Sequence, residues 1–302
     1  MAKIILAGGS GFLGQILSRH YREKGDEVVV LTRHPHAVKN GVLQVGWDAK
    51  NLGNWIDHLD NSDILINLTG KSVNCRYTER NKKEIFASRL DATQILGKAL
   101  QLVSHPPPIW LNAASATIYR HAEDCPQDEY TGEVGTGFSV EVCQQWEKAF
   151  FSQITPGIRK IALRLAIVLG KNGGVMPYFR NLAKFGLGGK QGNGQQYFSW
   201  VHEHDVTGII DFLVSNPDLE GVFNVSAPNP LPNYAFMQAV RKVVNAPFSL
   251  DTPKWVLQIG SVFIRTETEL ILKSRWVLPR RLTEAGYNFA VPTIQAALAA
   301  GV

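Results

Sequence analysis

Residues 3–14 read KIILAGGSGFLG. Ile4, Ile5 and Leu6 form an apolar, partly β-branched run of the kind that makes a buried strand. The run stops at glycines 8, 11 and 14, beyond which Phe12, Leu13, Ile16, Leu17 and Tyr21 recur at helical spacing. Strand, glycine turn and helix in that order suit a dinucleotide pyrophosphate. Gly8 permits a tight turn, Gly11 lets backbone N–H groups approach phosphate, and Gly14 lets the helix pack closely while its positive N-terminus faces the anion. With 27 glycines in 302 residues the spacing alone means little, and the flanking strand and helix give it its meaning.

Outward from this corner, the first half alternates strands and helices, which predicts a parallel α/β sheet. Strands are expected at Glu27–Thr32, Val42–Val45, Asp63–Leu68, Ile109–Ala113 and Lys160–Leu169. A long helix is expected from about Glu79 to Leu102, ended by Pro106–Pro108, and a second over Val140–Phe151. The second half is more mixed. It offers a loop at Gly186–Gly194, a strand at Tyr197–His202, a helix at Asp205–Val214 capped by Asp205, a strand at Val222–Val225 and a helix at Tyr234–Val244. The organisation predicted is a doubly wound Rossmann domain over residues 1–168, with 203–228 returning to it. A smaller mixed α/β substrate lobe follows over 169–302.

Hydrophobic residues make up 45% and charged residues 19% of the chain, as in a globular protein. A net charge of +5 without dense Lys/Arg blocks argues against nucleic acid as partner and suits an anionic cofactor. Cys75, Cys125 and Cys143 are odd in number and lack metal-ligand spacing, so neither a disulfide framework nor a metal site is expected. No apolar run approaches the ~20 residues of a membrane span, and the N-terminal run is too short for a signal peptide. A soluble cytoplasmic protein is the expectation.

About 20 residues past the glycines, where an NAD site commonly places a carboxylate for the ribose hydroxyl, this chain has Thr32-Arg33-His34. A hydroxyl and a guanidinium suit a 2′-phosphate, which Arg meets with bidentate hydrogen bonds. NADP(H) is the expected cofactor.

Together these features resemble the extended, epimerase-like branch of the short-chain dehydrogenase/reductase superfamily. GGSGFLG at 8–14, RLAIVLG at 164–170 and GNGQQYFSWVHEHD at 192–205 carry the resemblance over nearly the whole chain. A narrower similarity is to an atypical subfamily of uncharacterised NADP-binding proteins. It rests on NLTG (67–70), CRYTERNKKEIFASRLDAT (75–93), Val142-Cys143, Trp146-Glu147, GLGG (186–189) and the tail SRWVLPRRLTEAGYNF (274–289). The tail is similar to that subfamily's small C-terminal domain, placed here at about 248–298. The resemblance implies cofactor contacts from Gly8, Ser10, Gly11, Phe12 and Leu13 in the turn. It adds main-chain contacts from Leu68, Thr69 and Val168, and contributions from Glu84 and Arg89. It further implies that Trp200 and His202 line the substrate side, and it makes a homodimer a candidate state by analogy.

In the superfamily a Tyr and a Lys four residues later move a proton while hydride is transferred, aided by a Ser or Thr on the preceding strand. The lysine charge lowers the tyrosine pKa. Ser115 suits the helper role, but the helix reads Phe138-Ser-Val-Glu-Val142, so the pair is absent. Tyr119 offers a replacement hydroxyl and His202 an acid/base group, whereas Glu141 and Lys148 read as surface charges. Two readings stay open: an NADP(H)-dependent oxidoreductase acting on an unidentified small molecule, or a non-catalytic NADPH-binding sensor or assembly protein.

Overall fold

The computed structural model describes residues 1–36, 38–39, 41–171, 173–257, 267 and 269–301. Its main sheet is built from β1 (Lys3–Ala7), β2 (Glu27–Thr32), β3 (Val38–Lys39), β4 (Val42–Gly46), β5 (Ile64–Asn67), β6 (Ile109–Ser115), β7 (Arg159–Leu165) and, after a second excursion, β12 (Gly221–Val225). The order across the sheet is β12-β7-β6-β5-β1-β2-β4-β3. Seven strands run parallel, and only the edge strand β3 is antiparallel to its neighbour. The chain starts in the middle and winds outward both ways, so the order reverses beside β1. That reversal opens a crevice at the carboxyl ends of β1 and β5, where such sheets bind ligands.

Both faces of the sheet are covered, which is why its strands read as continuous apolar runs. Ile4 and Leu6 of β1 face α1 (Phe12–Glu23) and α5 (Glu203–Ser215), packing with Leu17, Tyr21, Ile209 and Leu213. Ile5 and Ala7 face the other way, toward α2 (Glu79–Leu100) and α3 (Phe138–Phe151), with Leu96, Trp110 and Phe150. Each fully buried large side chain of this kind contributes about 1.5–3 kcal/mol over exposure. Thr78 caps α2, its hydroxyl accepting from the Asn81 N–H.

The expected strand Lys160–Leu169 is two strands. β7 ends at Leu165, and β8 (Ile167–Gly170) leaves the main sheet to pair with β11 (Trp200–His202) and β9 (Gly173–Gly174). Ala166 is the joint: its N–H donates to the Val225 carbonyl, and the next N–H, of Ile167, donates to Ser199. The expected strand Tyr197–His202 divides likewise at Ser199. β10 (Tyr197–Phe198) pairs with β13 (Leu231–Pro232), and β11 pairs with β8. An apolar run records burial, not which sheet does the burying.

The smaller lobe has its own core, where Phe198, Trp200 and Phe236 pack with Ile294 and Leu298. It includes α4 (Met176–Lys184), α6 (Asn233–Val244) and α8 (Ile294–Ala299), whereas α7 (Arg280–Glu284) packs on β12 and buries Leu282 in the core of the main sheet. The part of the expected C-terminal domain at 258–266 and 268 lies outside the described residues.

Helix α5 starts at Glu203, and its cap is His202, not Asp205: His202 Nδ1 accepts from the His204 N–H at 3.2 Å. Asp205 has a different task. Fully buried in the first turn, its carboxylate accepts from the Ala290 N–H (2.8 Å), the Val291 N–H (3.0 Å) and the Tyr287 hydroxyl (3.2 Å). It thereby latches the C-terminal segment to the main domain. Asp205→Ala should cost about 3–5 kcal/mol by leaving buried donors unpaired, and Asp205→Asn less. Urea unfolding curves measure both, and an unchanged midpoint for the alanine variant would contradict the latch.

Candidate functional site

The glycine turn follows β1. Gly8 has φ +74°, and its N–H donates to the Leu31 carbonyl at 2.9 Å, tying the turn to β2. A Cβ on Gly8 would lie 2.8 Å from Thr69 Cα, so the loop after β5 rests directly on the turn. A Cβ on Gly14 would come within 2.2 Å of the Gly9 carbonyl oxygen, so α1 sits on its own approach loop. At Gly11, the N-cap of α1, a Cβ would meet nothing within 4 Å. No acidic residue occupies the first turn of α1 and no side chain caps it, so its backbone N–H groups and positive dipole end are uncompensated. Ser10 is exposed beside it, and Leu13 packs toward the core.

Phe12 turns the other way. Its ring lies where a Cβ would stand on Gly170 (2.8 Å) and Gly173 (2.5 Å). The β8–β9 hairpin is thus built of glycines because an aromatic ring from the turn fills their side-chain space. The Val168 carbonyl borders the same hairpin, 2.9 Å from the Cβ position of Gly174.

Leu68 and Thr69 leave β5 at the crevice. The Leu68 N–H donates to the Ala7 carbonyl (2.8 Å), and the Thr69 N–H donates to Asn67 Oδ1 (3.0 Å). Buried Asn67 is itself held by Asn112 Oδ1 (2.7 Å) and Thr93 Oγ1 (3.3 Å). Thr69 Oγ1 is buried with no partner among the described residues. Farther along, Lys71 Nζ bonds the Glu84 carboxylate, which also takes Arg80 Nε at 2.8 Å. These bonds, Lys71 first and then Arg80, hold the Glu84 carboxyl down at about 2. Arg89 donates to the Lys71 carbonyl (3.1 Å) and lies over the Trp146 ring at 5.0 Å. Glu84 and Arg89 therefore brace the loop that carries Leu68 and Thr69.

At the end of β2, Thr32 is buried, while Arg33 is exposed with no hydrogen bond or ion pair to any described residue.

The three candidate proton carriers differ. Ser115 ends β6, its hydroxyl accepting from the Thr117 N–H at 3.2 Å. The Tyr119 hydroxyl donates to Asn224 Oδ1 (3.0 Å) and accepts from Arg164 Nη1 (2.8 Å). Arg164 in turn grips Glu147 through two bonds of 2.8 Å each. Burial holds the Tyr119 hydroxyl above its usual range. The His202 ring is buried as a helix cap, and burial, followed by His204, holds it below the usual imidazole range.

Helix α3 presents other side chains to this region than Phe138 and Val142. Phe138 stacks edge-on with Tyr77 (4.8 Å) and Phe86 (5.5 Å) on the α2 side. Buried on α3 instead are Ser139, bonded to the Tyr77 hydroxyl and Glu269, and one turn later Cys143, packed with Ala116, Ile118 and Tyr119 just past β6. Neither is Tyr or Lys. Burial pushes the Cys143 thiol up to about 11, so it is no ready nucleophile. From the C-terminal segment, Lys273 Nζ donates to the Thr117 carbonyl (2.8 Å) and Arg275 Nε to Thr117 Oγ1 (3.2 Å). Sequence reasoning missed Tyr77, Lys273 and Arg275 as site residues, although Tyr77 and Arg275 stand inside segments that carry the family resemblance. No group of His, Cys, Asp and Glu among the described residues is arranged to hold a metal ion.

Residues 4–226 match the model of the NAD dependent epimerase/dehydratase family. The chain belongs to that family. Residues 252–300 match a C-terminal domain of unknown function, DUF1731. The mouse epimerase family protein SDR39U1 is 30% identical over 98% of both chains. YfhF of Bacillus subtilis is 29% identical, over 98% of this chain and 96% of its own. The crystal structure of human SDR39U1 with NADPH superposes with a TM-score of 0.85 at 29% identity, covering 98% of this chain and 97% of the other. A UDP-N-acetylglucosamine 4-epimerase from Bacillus cereus, at 17% identity and TM-score 0.70, shares the fold.

The Tyr119 network makes a stability prediction. Tyr119→Phe leaves Arg164 Nη1 and Asn224 Oδ1 short of a partner and should cost about 1–3 kcal/mol in urea unfolding. A stability equal to wild type would show that the buried network is not structural.

Proposed function

We propose that this protein is an NADP(H)-dependent oxidoreductase of the epimerase family acting on an unidentified small molecule. The observation that carries the reading is the uncapped N-terminus of α1, open over Gly11, beside an Arg33 that no described residue engages. The buried, unpartnered Thr69 Oγ1 adds a polar atom that a ligand in the crevice would satisfy. These residues fit a phosphorylated dinucleotide. Gly8, Ser10, Gly11, Phe12 and Leu13 would form the pyrophosphate turn, Thr32 and Arg33 the 2′-phosphate end, and Leu68, Thr69 and Val168 the main-chain wall. Glu84 and Arg89 would support that wall through Lys71. When bound, the nicotinamide supplies or accepts a hydride. The NADPH complex of the similar human protein supports the same cofactor choice.

A non-catalytic sensor or assembly role is the second reading, favoured by the Ser139 and Cys143 that stand where α3 faces the site. Screening carbonyl compounds and alcohols for change in nicotinamide absorbance separates the two. Ser115 ends β6 with its O–H still free to donate, Tyr119 is committed to Arg164 and Asn224, and His202 uses Nδ1 as the cap of α5. Three free cysteines agree with a cytoplasmic setting, and no helix among the described residues is long and apolar enough to cross a membrane.

Calorimetric titration tests the cofactor. Arg33→Ala should weaken NADPH about 10- to 100-fold, the worth of a lost charge-assisted bond, and NADH by little. An unchanged NADPH to NADH ratio would remove Arg33 from the 2′-phosphate.

The outer faces of α2 and α3 border an open groove of about 780 Å³ lined by Phe86, Leu90 and Phe138, with Lys82, Lys83, Glu79 and Glu141 around it. We propose a second copy of the chain as its occupant, because an apolar floor of Phe86, Leu90 and Phe138 ringed by charges of both signs is the self-complementary surface that a two-fold contact needs. Light scattering should report a dimer for wild type and a monomer for Phe86→Glu. A monomeric wild type would end the idea.

A further inference from the structure

Tyr77 stands in the loop between β5 and α2, beside the first turn of α3. Its hydroxyl is 3.2 Å from Ser139 Oγ, and Ser139 Oγ is 3.2 Å from Glu269 Oε2. A carboxylate only accepts, so the Ser139 hydrogen goes to Glu269 and the Ser139 lone pairs face the Tyr77 O–H. The bonds therefore run in one direction, from Tyr77 through buried Ser139 to a part-exposed carboxylate. The three side chains come from separate parts of the chain, and Tyr77 lies in the segment that leaves the carboxyl end of β5.

The charges around Tyr77 come from every side. Arg275 stands near it and favours the ionised phenol, while Glu269 and Cys75 oppose ionisation. Arg89 on α2 also senses Tyr77, and Glu267 accepts the Tyr77 backbone N–H at 2.8 Å. Burial is the largest influence and holds the phenol above its usual range. Arg275 and Lys273 are both fastened to Thr117, two residues beyond Ser115, so positive charge sits at the carboxyl end of β6.

We propose that Tyr77, Ser139 and Glu269 form a proton relay serving the site at the end of β6, in place of the tyrosine and lysine that α3 lacks. The proposal rests on the reading of the protein as an NADP(H) oxidoreductase. In the reducing direction a carbonyl carbon gains a hydride with its electron pair. The carbonyl oxygen takes the proton of Tyr77 as that O–H bond breaks. Glu269 then takes a proton from solvent and hands it to Ser139 as Ser139 gives its own to the phenolate oxygen, so that both hydrogen bonds reverse from their resting orientation. The carbonyl becomes an alcohol and the cofactor leaves oxidised.

Tyrosine labelled at the ring carbon bearing oxygen gives a carbon-13 resonance for Tyr77, identified by its loss in Tyr77→Phe. Glu269→Gln should lower the pH at which Tyr77 ionises, by removing a negative charge. Ser139→Ala should raise it, by removing a hydrogen bond to the phenolate, and Ser139→Thr should restore it. A Tyr77 titration that ignores both Glu269→Gln and Ser139→Ala overturns the relay. With 9,10-phenanthrenequinone as a probe carbonyl, Tyr77→Phe should lower kcat about 100-fold or more at unchanged KM for NADPH. An undiminished kcat overturns the proposal equally. Should the quinone not be reduced, the titration alone decides. A wild-type protein that binds no NADPH refutes the cofactor reading instead, and the titration still judges the relay.

Discussion

Helix α1 crosses its own glycine turn so closely that a single methyl group at Gly14 would come within 2.2 Å of the Gly9 carbonyl. That approach sets the rest. It aims the N-terminus of α1 into the crevice between the carboxyl ends of β1 and β5. It also directs Phe12 away from the crevice, into side-chain space that Gly170 and Gly173 leave open. The ring thereby joins the turn to the β8–β9 hairpin and, through β8 and β11, to the smaller lobe. A bulkier residue at Gly14 would move phosphate site and lobe together, because the same first turn of helix positions both.

The turn and the central sheet were legible because their signals are local. Ile4–Leu6, the three glycines and the amphipathic α1 each specify backbone geometry within a few residues, and β2, β5, β6, α2 and α3 follow from similar runs. The breaks at Ala166 and Ser199 were not legible. Both lie within largely apolar stretches, and what divides them is hydrogen bonding to Val225 and the C-terminal segment, far off in sequence. Asp205 was misread for a similar reason. An acidic residue near a helix start is an ordinary cap, and only the fold shows that its acceptors go to residues 290 and 291.

The site was legible by halves. The glycines and Arg33 stand out by their places after β1 and β2, where backbone and charge suit a ligand of fixed shape, whereas Thr69 comes only from the family resemblance. The substrate side depends on which face of α3 turns inward, and a helix rotates about 100° per residue. Taking Phe138 and Val142 as the facing pair was wrong by one residue, enough to hide Ser139 and its contact with Tyr77. The absence of a Tyr/Lys pair holds for either register.

The C-terminal segment supplies what α3 does not. Lys273 and Arg275 bring positive charge to Thr117, Glu269 meets Ser139, and the Ser199 hydroxyl takes the Val277 N–H at 2.9 Å where β10 gives way to β11. Docking of this segment depends in turn on Asp205 and on Arg281, which donates to the Val222 carbonyl at 2.7 Å and covers the Phe223 ring. Asp205 on α5 and the partners of Arg281 on β12 belong to elements of the main domain that the chain reaches only after crossing into the lobe and returning. The charges that Lys273, Arg275 and Glu269 bring to Tyr77 and Thr117 therefore exist only when the tail is seated. Site electrostatics and the docking of residues 269–291 become one equilibrium, whereas a lysine within α3 would keep its place with or without the tail.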